Sequence, residues 1–365
     1  MLFKNISLII IDLAYHIFIK QILFLLDPEF AQKIIGKFFN LSFIPWKSIG
    51  YLLNVENGKL FTPYFGFYIS NPVGLAAGFD KDSDYLQATS NFGFGYITIG
   101  TVTLKKQSGN LKPRLYRLRN DSSLLNSLGF PSIGIDDFII NLKKSKQHAK
   151  TTFLTTSITG VSIQQIVDSY KLLHPYSDAI EINISSPNTD QLKIFHDKKQ
   201  LFNLLNEVNK YKTTPLIIKL PPYITSNLTD NIDLLEEKEN ILSLVEQCLN
   251  SKVDGFTISN SRPIRTEKLE AGKGGITGKV LFESTVEMVQ DLRLFIGKGP
   301  VINACGGIYK GSQAWDLIKC GATTVQLYTS LIYSGITIPN KINNYLLNKL
   351  EHNDIDNFVD MMKND

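Results

Sequence analysis

Seven consecutive residues, Asn183-Ile184-Ser185-Ser186-Pro187-Asn188-Thr189, place amides and hydroxyls directly behind the short apolar run 178–182. A buried strand that finishes in amides and hydroxyls finishes at a site. Pro187 fixes φ and Asn tolerates the left-handed region, so part of the segment is turn chemistry. Asn183 still lies on the strand, however, while Ser186 and Asn188 lie in the loop beyond it. Two amides and one hydroxyl can therefore converge on a single small polar ligand.

The elements that position this segment repeat along the chain. From residue 70 onward, β-type runs recur at 73–78, 95–100, 153–158, 179–184, 215–220, 254–259, 300–304 and 323–327. The stretches between them, such as 201–211, 236–250 and 281–295, carry apolar residues at helical spacing. Strands alternating with helices imply a parallel sheet, and eight such units favour a closed (β/α)8 TIM barrel, an α/β fold, over an open sheet. Barrel active sites sit at the C-terminal strand ends. Behind those ends stand Ala77-Gly78-Phe79-Asp80-Lys81, Thr101, Lys219, Ser259-Asn260-Ser261, Gly306-Gly307 and Tyr328-Thr329. The loops after the seventh and eighth strands frequently hold a phosphate. Glycine there lets backbone N–H groups approach an anion, and the glycine-rich 272–278 stretch is expected to close over the same anion.

Bulk composition narrows the function. The chain is 43% hydrophobic and 20% charged over 365 residues, ordinary for one large α/β domain with an appendage. Its net charge of +4 comes from scattered Lys rather than a basic, aromatic-laced stripe, which gives no support for nucleic-acid binding. Cys248, Cys305 and Cys320 show no CxxC spacing, and His16, His148, His174, His196 and His352 never pair at metal-ligand spacing. Disulfides, structural zinc and iron–sulfur clusters are thereby disfavoured, no metal is expected, and redox chemistry would need an organic cofactor.

Residues 8–26 hold fifteen apolar residues, interrupted by Asp12, His16 and Lys20 every fourth position. That spacing draws one polar stripe along a greasy helix. Asp12 and Lys20 near mid-span would each cost roughly 2.5–3.5 kcal/mol in a spanning helix, so a helix lying in the interface is expected. Asp27-Pro28-Glu29 then supplies an N-cap, a first-turn proline and a first-turn acid. The second helix carries Phe30, Ile34, Ile35 and Phe38 on one face. Together the two make an amphipathic helical hairpin over residues 1–45, ahead of a barrel domain over 46–365.

In their order and spacing, these residues resemble the class 2, membrane-associated, quinone-linked dihydroorotate dehydrogenases. The likeness runs from residues 24–29 through 75–82, 99–103, 112–118 and Asn126-Ser127-Leu128-Gly129-Phe130, then through the heptapeptide, Lys219, Asn260, 274–278 and 306–308. It implies oxidation of (S)-dihydroorotate to orotate on one FMN per chain, in pyrimidine synthesis, with electrons passed to a membrane quinone. Ser186 would be the base, where soluble class 1 relatives carry Cys. Lys81, Asn126, Ser127, Leu128, Gly129 and Phe130 would meet substrate, as would Asn183, Asn188, Asn260 and Ser261. FMN would be held by Ala77, Gly78, Phe79, Asp80, Lys81 and Thr101. Asn183, Lys219, Ser259, Gly278, Gly307, Tyr328 and Thr329 would complete that set. Arg117 would lie near a quinone channel. The resemblance further implies a monomer, peripheral on the cytoplasmic face of the inner membrane.

The chain departs from the family pattern after the third strand. Ser157 stands where an FMN-binding Asn is usual, and a hydroxyl is shorter and makes fewer hydrogen bonds than an amide. Ser259 and Ser261 replace the usual Thr, which keeps the hydroxyls, and Lys279-Val280 replaces a basic-Pro pair.

Overall fold

The computed structural model describes all residues except 1, 42, 148, 150, 224–231, 359–360 and 362–365. Eight parallel strands close into a barrel: β1 Val73–Leu75, β2 Tyr96–Thr103, β3 Phe153–Thr159, β4 Ala179–Asn183, β5 Leu216–Lys219, β6 Gly255–Ile258, β7 Val301–Cys305 and β8 Thr324–Leu327. Each strand pairs with its neighbours in chain order, and β8 closes onto β1. Outward-facing Ile97, Ile99, Ile180, Ile182, Ile218, Ile302 and Val325 are all fully buried against the surrounding helices. Those helices start where the sequence offers caps: Ser162 accepts from Gln165 N ahead of Ile163–Leu173, and Asp197 from Gln200 N ahead of Lys198–Asn209.

The ladder registers stack the inward side chains in layers of four drawn from alternate strands. The lowest full layer is Tyr96, Ala179, Gly255 and Thr324, followed by Gly74, Thr155, Ile217 and Asn303. Next come Thr98, Glu181, Thr257 and Gln326, and above them Ala76, Ser157, Lys219 and Cys305. Asn183, Ser259 and Tyr328 stand at the mouth. A hairpin of Thr62–Tyr64 and Phe67–Ile69 closes the opposite end, with the Tyr64 ring 4.7 Å from Tyr96 and 5.0 Å from Phe153.

Over the mouth lies a four-stranded antiparallel sheet in the order Arg262–Arg265, Lys273–Gly278, Ser123–Asn126, Leu115–Leu118. It corrects the expected role of the glycine-rich stretch. Residues 273–278 form a strand, not an anion loop, because Gly274 and Gly275 leave room for the Asn126 backbone and the Ser261 hydroxyl. Only Thr277 and Gly278 from that strand reach the cavity below.

The N-terminal helical run covers Leu2–Ala14, a π-helical turn at Tyr15–Ile19, and Lys20–Leu25. Pro28–Phe39 follows, capped as expected by Asp27 Oδ1, which accepts from Phe30 N at 3.0 Å. The polar stripe turns inward rather than toward an interface: Asp12 Oδ1 accepts from Thr337 Oγ1 at 2.7 Å and from Lys341 Nζ at 2.6 Å. Lys20 Nζ sits 5.6 Å from both the Phe24 and Tyr333 ring centres. Outward-facing Phe3, Ile9, Ile10, Phe18 and Leu25 stay exposed, as do Phe30, Ile34 and Phe38 on the second helix. The hairpin therefore docks through Asp12 and through buried Phe24, Ala31 and Phe39, and displays its other apolar side chains.

The firmest of those charge contacts is Glu29, whose Oε1 accepts from Arg114 Nε at 3.1 Å and Nη2 at 2.9 Å, with Lys112 Nζ 3.0 Å from Oε2. Burial alone would raise the Glu29 carboxyl, but the Arg114 and Lys112 hydrogen bonds outweigh it and hold the group below its ordinary range. Its stabilising contribution is complete above the unfolded carboxylate pKa and fades as pH falls through the lowered folded one. Glu29→Gln is expected to cost about 1–3 kcal/mol in thermal unfolding, because it leaves Arg114 with weakened partners, and to speed protease cleavage within residues 1–40. A loss under about 0.5 kcal/mol, the scale of ordinary surface changes, would mean that apolar packing alone holds the hairpin.

Candidate active site

The C-terminal strand ends open into one cavity, roofed by the accessory sheet. Its wall carries a continuous hydrogen-bond network. Asn183 leaves the end of β4 with Nδ2 donating to Thr101 Oγ1 at 3.3 Å, and Thr101 Oγ1 lies 3.0 Å from Ser157 Oγ. Asn183 Oδ1 accepts from Ser185 N at 3.1 Å and Ser185 Oγ at 2.9 Å. Asn260 Nδ2 donates to Ser185 Oγ at 3.0 Å, which ties the loops after β4 and β6 together. The segment after β4 is thus held from two sides, by Thr101 on β2 and by Asn260 after β6.

Ser186 lines the cavity, and its Oγ accepts from Asn188 N at 3.3 Å. Asn188 Nδ2 donates to Asn126 Oδ1 at 2.9 Å, bridging the loop to the roof, while Asn188 Oδ1 is buried without a donor. An amide oxygen left this way calls for an N–H on whatever enters. The loop's far end is fastened by His196 Nε2, 2.9 Å from Ile184 O.

Two lysines bring charge. Burial pushes the Lys81 ammonium down to about 8, with Asp82 partly restoring it and Arg114 opposing. Lys219 is 5% exposed on the cavity floor beside Cys305, whose thiol is pushed up by burial. A floor cation, a second cation in the turn after β1 and a ring of amides suit a planar, polar, anionic ligand stacked over a larger cofactor.

A family model described as dihydroorotate dehydrogenase matches residues 59–350. The chain belongs to the dihydroorotate dehydrogenase family. The Coxiella burnetii protein named dihydroorotate dehydrogenase (quinone) is 33% identical, with 90% of this chain and 96% of the relative covered. The Christiangramia forsetii protein of the same name is 32% identical, covering 92% and 99%. Among solved structures, DHODH from Eimeria tenella in complex with ferulenol matches with a TM-score of 0.81 at 27% identity, over 92% of this chain and 95% of that one. This dehydrogenase shares the closed barrel of that structure.

Most residues singled out from the sequence meet on the cavity: Ala77, Gly78, Lys81, Thr101, Asn126, Leu128, Gly129 and Phe130 from the first half of the chain. Asn183, Ser186, Asn188, Lys219, Ser259, Asn260, Ser261, Gly278, Gly307, Tyr328 and Thr329 join them from the second. Five do not line it. Phe79 packs edge-on against Tyr328, ring centres 6.0 Å apart. Asp80 is buried in its own turn, accepting from Asp84 N at 2.8 Å and Tyr85 N at 3.0 Å, and burial pushes its carboxyl up to about 7. Ser127 is buried behind the wall, and Ser157 reaches the site only through Thr101. Arg117 lies against the hairpin, donating to Leu26 O at 2.8 Å with its guanidinium 4.8 Å over the Phe24 ring.

Sequence reading missed Gln326, Tyr309, Leu115 and Leu124, which also line the cavity. Gln326 had a signal: it is a polar residue at an inward position of an otherwise β-type run. The roof residues Leu115 and Leu124 had none, because their strands are short and the two hairpins of the roof meet only across a long stretch of chain.

Proposed function

We propose that this dehydrogenase oxidises (S)-dihydroorotate to orotate on FMN and passes the electrons to a membrane quinone, serving pyrimidine synthesis. The observation that carries the reading is the meeting of Ser186, four asparagines and two lysines on one cavity. The residues fit the cofactor. Gly307, at φ +75°, has no room for a side chain, since a Cβ would stand 2.4 Å from Phe282 N; such a backbone suits a phosphate. Gly78 keeps the wall beside Tyr328 thin in the same way, a Cβ there lying 3.3 Å from the ring. Thr101, Ser259, Gly278, Tyr328 and Thr329 would complete the hold, and Ser157 would contribute through Thr101 in place of a direct amide.

When bound, the flavin supplies the hydride acceptor. Lys219 meets the negative charge that reduction brings. Asn126, Asn183, Asn188 and Asn260 orient the substrate ring through its amide-like edges, and the lone Asn188 Oδ1 supports a ring N–H as its partner. Ser186 takes the proton from C5, a position acidified by the adjacent carbonyl. A serine is a weak base, so the donated Asn188 N–H at its Oγ matters: it favours negative charge on that oxygen.

Residues 1–45 act as the membrane and quinone segment, and 46–365 as the catalytic domain. The helix Phe3–Leu25 is long and apolar enough to cross a membrane, but its Asp12 is engaged by Lys341, which favours a peripheral position on the cytoplasmic face of the inner membrane. Phe24, Leu124, Tyr309, Tyr328 and Tyr333 form one apolar cluster between hairpin and cavity, a path suited to a quinone with Arg117 at its edge. The unit is a monomer.

Purified protein given dihydroorotate should form orotate with a soluble quinone analogue and not with fumarate or NAD. Turnover with either of those and not the quinone would remove the acceptor, and no orotate with any acceptor would remove the reaction. Because Lys81 is cationic below about pH 8 and neutral above it, orotate affinity should fall several-fold between about pH 8 and 9. Lys81→Met should bind weakly with no such step; a wild-type dissociation constant flat across that range would overturn the role given to Lys81.

A further inference from the structure

Glu181 is the acid of the barrel interior among the described residues, and nothing in the proposed reaction uses it. It interrupts the apolar strand β4 and is fully buried. Its Oε2 accepts from Thr257 Oγ1 at 2.7 Å, and its Oε1 has no donor. A carboxylate with one neutral donor is poorly compensated in a low-dielectric interior and keeps its charge only with a cation close by. The register supplies one. Glu181 belongs to the layer of Thr98, Thr257 and Gln326, immediately beneath the layer of Lys219, Cys305, Ser157 and Ala76.

Lys219 shows the complementary lack. It is buried and forms no ion pair among the described residues. Thr257 links the two strands that carry these charges: it bonds Glu181 with its side chain and lies opposite Lys219 in the ladder. The Cys305 thiol, in the Lys219 layer, is pushed up first by burial, is drawn down by Lys219 and is raised by Glu181, so both charges reach the same point of the floor.

We propose that Glu181 is a positioning residue of the redox site: from one layer below, its carboxylate holds the Lys219 ammonium toward the barrel axis and offsets its field, and so sets the reduction potential of the bound flavin without touching it. The inference rests on the reading that Lys219 faces the flavin. Freed of that anion, the ammonium moves up and favours the reduced, negatively charged flavin more strongly. The wild-type chain thereby keeps the flavin easier to reoxidise than Lys219 alone would leave it.

The test is an anaerobic titration of the purified flavoprotein against a redox dye, read from the flavin spectrum at neutral pH. Glu181→Gln keeps a carbonyl for Thr257 and should raise the reduced-to-oxidised ratio at fixed potential at least tenfold, equivalent to 29.6 mV for a two-electron couple. In a Lys219→Met background the same replacement should move the ratio less than threefold. An unchanged or lowered ratio in Glu181→Gln would overturn the proposal, and so would equal shifts in both backgrounds, which would show that Glu181 does not act through Lys219. If Glu181→Gln is not recovered folded, Thr257→Val strips the carboxylate of its one donor, which favours the neutral acid, and should shift the ratio upward at least twofold; no shift or a downward one would again overturn it. Wild-type protein that takes up no flavin would sink the underlying reading instead.

Discussion

Burying a polar group without a partner costs about 1–3 kcal/mol, and more for a charge, yet the upper half of this barrel is filled with polar groups. Branched aliphatic residues usually fill such interiors. Here a carboxylate, an ammonium, several hydroxyls and a ring of amides occupy the layers from Glu181 upward. The lower end is capped by Tyr64, Tyr96 and Phe153, whose rings pack against one another. The polar contents must satisfy one another or a ligand. Ser157, Thr101, Asn183, Ser185 and Asn260 do the first through one chain of hydrogen bonds. Lys219, Lys81 and Asn188 Oδ1 are left for the second.

That division explains why the mouth needs a roof. Asn188 is held by Asn126 from the accessory sheet, and the same sheet carries Arg114 and Arg117 on its outer strand. Through those arginines the sheet grips the N-terminal hairpin at Glu29 and Leu26. The loop after β4 and the hairpin thus share one scaffold. Glu29 turns inward onto that scaffold and Asp12 onto Lys341, while Lys33 and Lys37 stay exposed alongside the outward apolar side chains.

Much of this could be read from the chain. The eight strand runs, the cap at Asp27 and the convergence of Lys81, Asn126, Asn183, Ser186, Lys219 and Asn260 all follow from local pattern, because parallel barrel strands put their chemistry at predictable ends. The accessory sheet was not legible: its strands are four to six residues long, and the two local hairpins that make it meet across more than a hundred positions, as Asn126 does with Gly275. The glycines of 272–278 therefore looked like a loop. Asp12, His16 and Lys20 were legible as a stripe, but a stripe does not name its partner, and Lys341 lies far along the chain. Glu181 sat in view as a charge inside an apolar strand; only the register shows which layer it belongs to.

On the proposed reading, Ser186 abstracts the proton in this prepared cavity and bound flavin would supply the hydride acceptor. Mixing wild-type and Ser186→Ala protein with dihydroorotate anaerobically, and following the loss of the yellow flavin band in a single turnover, tests it most directly. The account predicts that the variant keeps its flavin and its orotate affinity, since the amides and lysines are untouched, while reduction slows by roughly 10²–10⁴-fold. Reduction at an undiminished rate would contradict the assignment of the base, and a colourless variant would make Ser186 a residue of the fold rather than of the chemistry.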